Sequence, residues 1–252
     1  MIENRTWNPK LLITLNLLAA ILLISWLWPT TRAGWDLIDF SVFTFFNNSL
    51  KTGKGWRTFW TIANWREADT PQFILIFSIA FYWIFKQDKT FAKQRIMEYF
   101  FFVLLCFFIS TILKATLIFL NYHRLSPTIA IDGAFRLTDS IAWLKAKVTS
   151  RNAFPGDHGF VLICATVFYW VKGGARLGLI SSILLTPFLF PRLVAGAHWA
   201  TDLLVGSISM SLITISFYFG TPMQSSVPLW IVIRIGKNFP AVDAFINRIL
   251  DR

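Results

Sequence analysis

Acidic residues are scarce in this chain. It carries 13 of them against 24 basic ones, and charged residues of both signs make up only 15% of its 252 positions. Cysteine is scarcer still. Cys106 and Cys164 are the only two, both inside apolar runs. That excludes a disulfide framework or a cysteine metal motif and leaves two small hydrophobes. Only three histidines are present. No repeat, low-complexity tract or linker divides the chain, which reads as one domain over residues 1–252. What abounds is apolar: 55% of the residues, with 26 Phe, 12 Trp and a mean hydropathy of +0.56. A soluble domain interleaves apolar positions with charge, whereas here they run together. The expected fold class is an all-α integral membrane protein, with the bilayer as its first partner. The formal charge of +11 does not point to nucleic acid, because the basic residues stand at the ends of apolar runs, where membrane topology puts them.

Six segments approach the ~20 residues that a bilayer core requires. They run over 11–28, 71–86, 96–120, 158–172, 177–195 and 199–219. The first follows Arg5 and Lys10 but ends in "SWLWP" without a small-x-small cleavage site, so it reads as an uncleaved anchor. The loops "KQDKTFAKQR" (Lys86 to Arg95) and "KGGAR" (Lys172 to Arg176) are rich in positive charge, which assigns them and both termini to the cytoplasmic side. The stretch "WDLIDFSVFTFFNNSL" (Trp35 to Leu50) and the tail from about 223 read as interfacial amphipathic helices.

With this topology His123, His158 and His198 all fall on the outer face. In "PRLVAGAHWATD", His198 and Asp202 are four apart, so on a helix they share a face. The carboxylate can fix the tautomer and leave one imidazole nitrogen bare as a nucleophile. An acid at a membrane span is a functional candidate by default, and Arg192 offers a planar fork suited to phosphate. In "AFPGDHGF", Pro155 presets a helix start, Gly156 lets backbone approach a ligand, and free N–H groups there suit an anion. His158 can protonate a departing oxygen, and Arg151 lies shortly before. In "NYHRLSPT", Arg124 is a second phosphate clamp beside His123. Together these make a metal-free, cofactor-free phosphoryl-transfer site. The rival is a metal held by two histidines and one acid, which converging arginines would oppose.

These residues resemble the type 2 phosphatidic-acid phosphatases, a family that shares its fold with vanadium haloperoxidases. Its motifs are Lys, six residues, Arg-Pro; Pro-Ser-Gly-His; and Ser-Arg, five residues, His, three residues, Asp. Arg192, His198 and Asp202 meet the third at correct spacing, with Pro191 in place of Ser. Pro155 and His158 meet the second, with Gly156 and Asp157 where Ser and Gly are expected. The first is met by Arg124 alone. Leu117 stands at the lysine's place, and Lys114, His123 or Arg151 could supply the charge. The resemblance covers roughly residues 110–220, within a catalytic core of about 96–220.

"RLSPT", "SRNAFPGDHG" and "FPRLVAGAHWATD" are most similar to one branch, the lipid A 1-diphosphate synthases of Gram-negative inner membranes. That resemblance implies a six-helix enzyme with a periplasm-facing site. It would move phosphate from undecaprenyl diphosphate to the 1-phosphate of lipid A through a phosphohistidine on His198, with His158 as acid. A plain lipid phosphatase, or a non-catalytic headgroup binder, would use the same pocket. Asp157 would either favour the charged form of His158 or cap the helix.

Overall fold

The structure, a computed structural model, describes residues 6–86, 91–139, 144–241 and 244. Arg5 and residues 87–90 of the basic loop lie outside the described residues. Among the described residues the chain is helical, with an isolated bridge between Trp65 and Ala146 and no strand. The helices are α1 (Pro9–Leu27), α2 (Pro29–Ser49), α3 (Lys54–Ala63), α4 (Asp69–Lys86), α5 (Ala92–Phe119), α6 (Pro127–Ala130), α7 (Asp157–Leu185), α8 (Phe190–Val194), α9 (Ile208–Gly220) and α10 (Met223–Asn238). A π-helical stretch, Asp202–Ser207, leads into α9.

Four helical segments are long and apolar enough to cross a membrane: α1, α5, Asp157–Val194 and Asp202–Gly220. The third is not a single rod. Gly174 has φ 78 and ψ 177, outside helical space, and Trp170 Nε1 donates to Ser182 Oγ at 2.9 Å. Twelve residues of straight helix would hold those groups about 18 Å apart, so the chain turns back at Gly174, where a positive φ suits glycine. The arms then pack so closely that a Cβ on Gly178 would fall 2.2 Å from the Trp170 ring. All six apolar segments anticipated above are helical; the fourth and fifth are the arms of this hairpin, and the second is α4.

The last segment is the centre of the molecule. Two thirds (67%) of its apolar stretch is buried, against 11% for α1 and for α5. α1 runs along α9, and Asn8 N–H, just before α1, donates to Gly220 O at 2.9 Å. Phe102, Phe168, Tyr169 and Tyr218 fill the core between α5, α7 and α9. Large apolar side chains such as Ile13, Leu17, Ile21, Phe107 and Phe108 face outward, as a surface solvated by lipid tails does. At one end of the core Glu98 is buried, receiving Lys172 Nζ and Gln94 Nε2, both at 2.9 Å.

The segment expected to be an amphipathic helix in the interface, Trp35 to Leu50, forms most of α2 and turns polar residues toward the protein. Leu37, Phe40 and Phe45 are exposed, while Asp39, Phe43 and Asn47 are buried. The polar residues turn inward because each has a partner: Asn47 Nδ2 donates to Phe135 O at 2.9 Å, and Asp39 enters the site described next.

Candidate active site

Between α8 and the last segment the chain turns sharply at Gly196, φ +68, where a Cβ would meet Thr128 at 2.7 Å and Phe43 at 2.8 Å. His198 lies in this turn, ahead of the helix that begins at Ala200. The i,i+4 contact with Asp202 therefore does not come from a shared helical face. Trp199 N–H donates to Asp202 Oδ2 at 2.8 Å, a capping arrangement that points the carboxylate back at the turn. His198 Nδ1 is 2.8 Å from Ala153 O and 3.3 Å from Asp202 Oδ2. A carbonyl only accepts, so Nδ1 carries a proton, and in the neutral imidazole Nε2 keeps its lone pair. The orienting role expected of Asp202 is shared with a backbone carbonyl, which makes the shorter bond.

Asp202 is fully buried, and its Oδ1 receives Arg124 Nη1. Arg124 Nη2 pairs with Asp39 Oδ2 at 2.5 Å, while Nη1 also reaches Thr201 Oγ1 at 2.9 Å. Asp39 in turn accepts Thr201 N–H at 2.8 Å and Thr201 Oγ1 at 2.7 Å. Burial raises the Asp39 pKa even though Thr201 and Arg124 favour its charged form. Trp26 and Trp199 flank the guanidinium, with ring centroids 5.2 and 5.4 Å away. Arg124, expected to be a phosphate clamp, thus has both terminal nitrogens engaged by protein. Its placement is that of a strut joining α2 to the histidine–carboxylate pair.

The second cluster opens α7. Gly156 N–H donates to Asp202 O at 3.0 Å, and Ser207 Oγ donates to Gly156 O at 2.5 Å. A π-helical stretch, which often marks a functional site, makes this contact possible. A Cβ would sit 2.9 Å from Ser207 Oγ at Gly156 and 2.6 Å from it at Gly159. Gly156 therefore serves close packing; its N–H is not directed at a ligand, contrary to expectation. Asp157 turns to Lys114, with Oδ2 2.7 Å from Nζ, which brings Lys114 to the edge of the site. Successive residues on a helix diverge by about 100°, and His158 accordingly meets a different carboxylate. Its Nε2 lies 2.8 Å from Asp69 Oδ1, at the start of α4. The contact lies off the line of a hydrogen bond, since Nε2 has no aligned partner.

The same Asp69 Oδ1 accepts from Arg192 Nη2 at 2.8 Å, and Arg192 Nη1 donates to Asn64 Oδ1 at 2.9 Å. Burial pushes the Asp69 pKa up, but His158 and Arg192 outweigh it and hold it at about 2. Lys147 lies within electrostatic reach as well. Burial and then Arg192 lower its pKa, while Asp69 and Asp157 act against them. Its backbone is fixed by Asn64, whose carbonyl accepts Lys147 N–H at 3.1 Å and whose Nδ2 donates to Lys147 O at 2.6 Å.

A curated relative, lipid A 1-diphosphate synthase of Escherichia coli (strain K12), is 31% identical over 217 residues, covering 86% of this chain and 90% of the relative. The chain belongs to that synthase family. No family model matches the chain, and no solved structure matches it.

Family membership does not assign roles to individual residues, and the structure sorts the expected ones. It brings His198, Asp202 and Arg124 into one cluster, and His158 and Arg192 into a second. Asp157 and Lys114 form a pair at its edge. His123 and Arg151 are not drawn in: both are exposed, and His123 contacts Asn152 at 2.7 Å and Asn121 at 3.2 Å. Asp39, Asn64, Asp69, Lys147 and the Ala153 carbonyl were not anticipated. Asp39 did carry a signal, an acid within the apolar run "LIDF". From the Lys114–Asp157 pair a cavity of about 300 Å³ runs between α4, α5 and α7, walled by Phe77, Tyr99, Phe102, Phe107 and Phe160. An oriented imidazole, a buried arginine, a second imidazole and an adjoining apolar cavity together suit group transfer from an anionic lipid.

Proposed function

We propose that this chain is a membrane phosphotransferase. It moves the terminal phosphate of undecaprenyl diphosphate to the 1-phosphate of lipid A, by the chemistry of the type 2 phosphatidic-acid phosphatases it resembles. The observation that carries this reading is the state of His198, whose Nδ1 proton is held by Ala153 O and Asp202 while Nε2 is bare. The similarity to the Escherichia coli lipid A 1-diphosphate synthase supports the choice of lipid A as acceptor.

In the proposed sequence the terminal phosphate sits between Arg192 and His158, with Lys147 and Lys114 adding positive charge in place of the family lysine. His198 Nε2 attacks the phosphorus in line. The bond from phosphorus to the bridging oxygen breaks as the Nε2–P bond forms, and protonated His158 passes a proton to the leaving undecaprenyl phosphate. The imidazolium formed on His198 is stabilised by buried Asp202. An oxygen of the lipid A 1-phosphate then attacks the phosphohistidine, and the N–P bond breaks to restore the bare Nε2. Positioning and charge stabilisation do most of the work in such transfers. The lipid tail of the donor lies in the cavity between α4, α5 and α7. The six apolar helices span the inner membrane, with the site on the periplasmic side.

A second reading, hydrolysis, has its own observation. His158 and Asp69 are 21% and 32% exposed, which leaves a path for water to the intermediate. Detergent-purified protein with undecaprenyl diphosphate, with and without lipid A and with chelator throughout, separates the two. Transfer requires lipid A to gain one phosphate while free phosphate stays low. Free phosphate with unchanged lipid A would replace transferase by phosphatase.

A further inference from the structure

Asp69 belongs to none of the motifs that led to this site, yet one of its oxygens occupies the centre of the second cluster. Oδ1 is 2.8 Å from Arg192 Nη2 and 2.8 Å from His158 Nε2. Those are the two groups that the proposed function assigns to the terminal phosphate, and the following inference rests on that reading. A carboxylate oxygen and a phosphate oxygen are both anionic acceptors that bind a guanidinium at the same distance. Asp69 and Arg192 are not equally free to move. Arg192 is 4% exposed and pinned by Asn64, whereas Asp69 is 32% exposed and is the first residue of its helix. When a phosphate arrives, Asp69 is the group that can leave.

We propose that Asp69 holds the phosphate-oxygen position in the empty site and must be displaced by substrate, so that it raises the affinity a ligand needs before it can occupy the site. It is an internal competitor. A ligand gains only the difference between its own contacts with Arg192 and His158 and those that Asp69 already makes. A diphosphate end, with more negative charge and more acceptor oxygens, overcomes that competition. Inorganic phosphate or a singly charged phosphodiester is held back. The intact membrane's abundant phosphate headgroups would thus be kept out of the site without any steric barrier.

The test is binding of inorganic phosphate and pyrophosphate to the full-length protein in detergent, measured calorimetrically for the wild type, Asp69→Asn and Asp69→Ala. An internal competitor that occupies the site nine-tenths of the time weakens apparent affinity about tenfold. Both variants should therefore bind phosphate about tenfold more tightly, and pyrophosphate more tightly by the same factor. A merely structural role for Asp69 would move affinity the other way. Phosphate binding that is unchanged or weaker in both variants would overturn the proposal. So would an equal gain in Glu67→Gln, which removes a charge from the exposed residue two positions away without touching Arg192. Tighter phosphate binding in the variants, together with a wild type that transfers no phosphate from undecaprenyl diphosphate, would leave this inference standing and remove the proposed function instead.

Discussion

Two carboxylates face two histidines in this molecule, and they are held in opposite ways. Asp202 is fully buried, capped onto Trp199 N–H and bound by Arg124, which Asp39 braces from α2. Asp69 is a third exposed and bound to groups that a substrate would also want, His158 and Arg192. The first arrangement is closed. Both carboxylate oxygens of Asp202 are bound inside protein, so it orients His198 without being open to exchange. The second is open, and its ion pair can be traded for another. The proposed phosphohistidine chemistry would draw on both kinds of support: a rigid one for the nucleophile, and a replaceable one where the phosphate enters.

The comparison is broken most severely by removing the strut. Arg124→Ala would leave Asp39 and Asp202 as buried carboxylates without a counter-charge, a change that costs about 3–5 kcal/mol. Thermal unfolding in detergent should show that loss together with loss of turnover; a cost under about 1 kcal/mol would mean the cluster is not closed. Asp39→Asn is milder. It weakens the brace by about 1–3 kcal/mol and does not touch substrate, so kcat should fall tenfold or more while KM stays close to its original value. An equal fall in substrate affinity would place Asp39 in the binding site rather than behind it.

Gly196→Ala tests the turn that carries His198. The left-handed φ alone costs about 1–2 kcal/mol, and the approach of Thr128 and Phe43 to within 2.8 Å adds to it. The midpoint of unfolding should drop, and turnover should drop with it because the imidazole shifts; an unchanged midpoint would show that the turn tolerates a side chain. The smallest effects belong outside both clusters. His123→Ala and Arg151→Ala should each leave stability within about 0.5 kcal/mol and turnover near that of the wild type. A large loss of turnover in either would return it to the phosphate site.

Some of this was readable along the chain and some was not. The apolar segments announced the helices, since a run of twenty apolar residues has few other uses, and "KGGAR" marked a reversal that Gly174 makes. Arg192, His198 and Asp202 were legible because they lie within one short stretch. Their mode of contact was not: spacing alone implied a helical face, whereas a turn and a cap bring them together. Arg124 was visible as a cation but not as a strut, because its partners Asp39 and Asp202 lie 85 and 78 residues away. Asp69 and Lys147 were missed for the same reason. The pairing of residues 64–66 with 145–147 carries them to Arg192, and no local pattern encodes a contact across that distance. Asp157 was read as either favouring the charged form of His158 or capping the helix; it pairs with Lys114 instead, because helix geometry turns it away from His158.

The central claim is that His198 carries the phosphoryl group, and trapping tests it most directly. Protein incubated with undecaprenyl diphosphate labelled on its terminal phosphate would be quenched in alkali, where phosphohistidine survives, digested and mapped. The expected result is label on the peptide containing His198 in the wild type, lost on brief acid treatment, and no label and no turnover in His198→Ala. Label on any other residue, or turnover that persists in His198→Ala, would contradict the account.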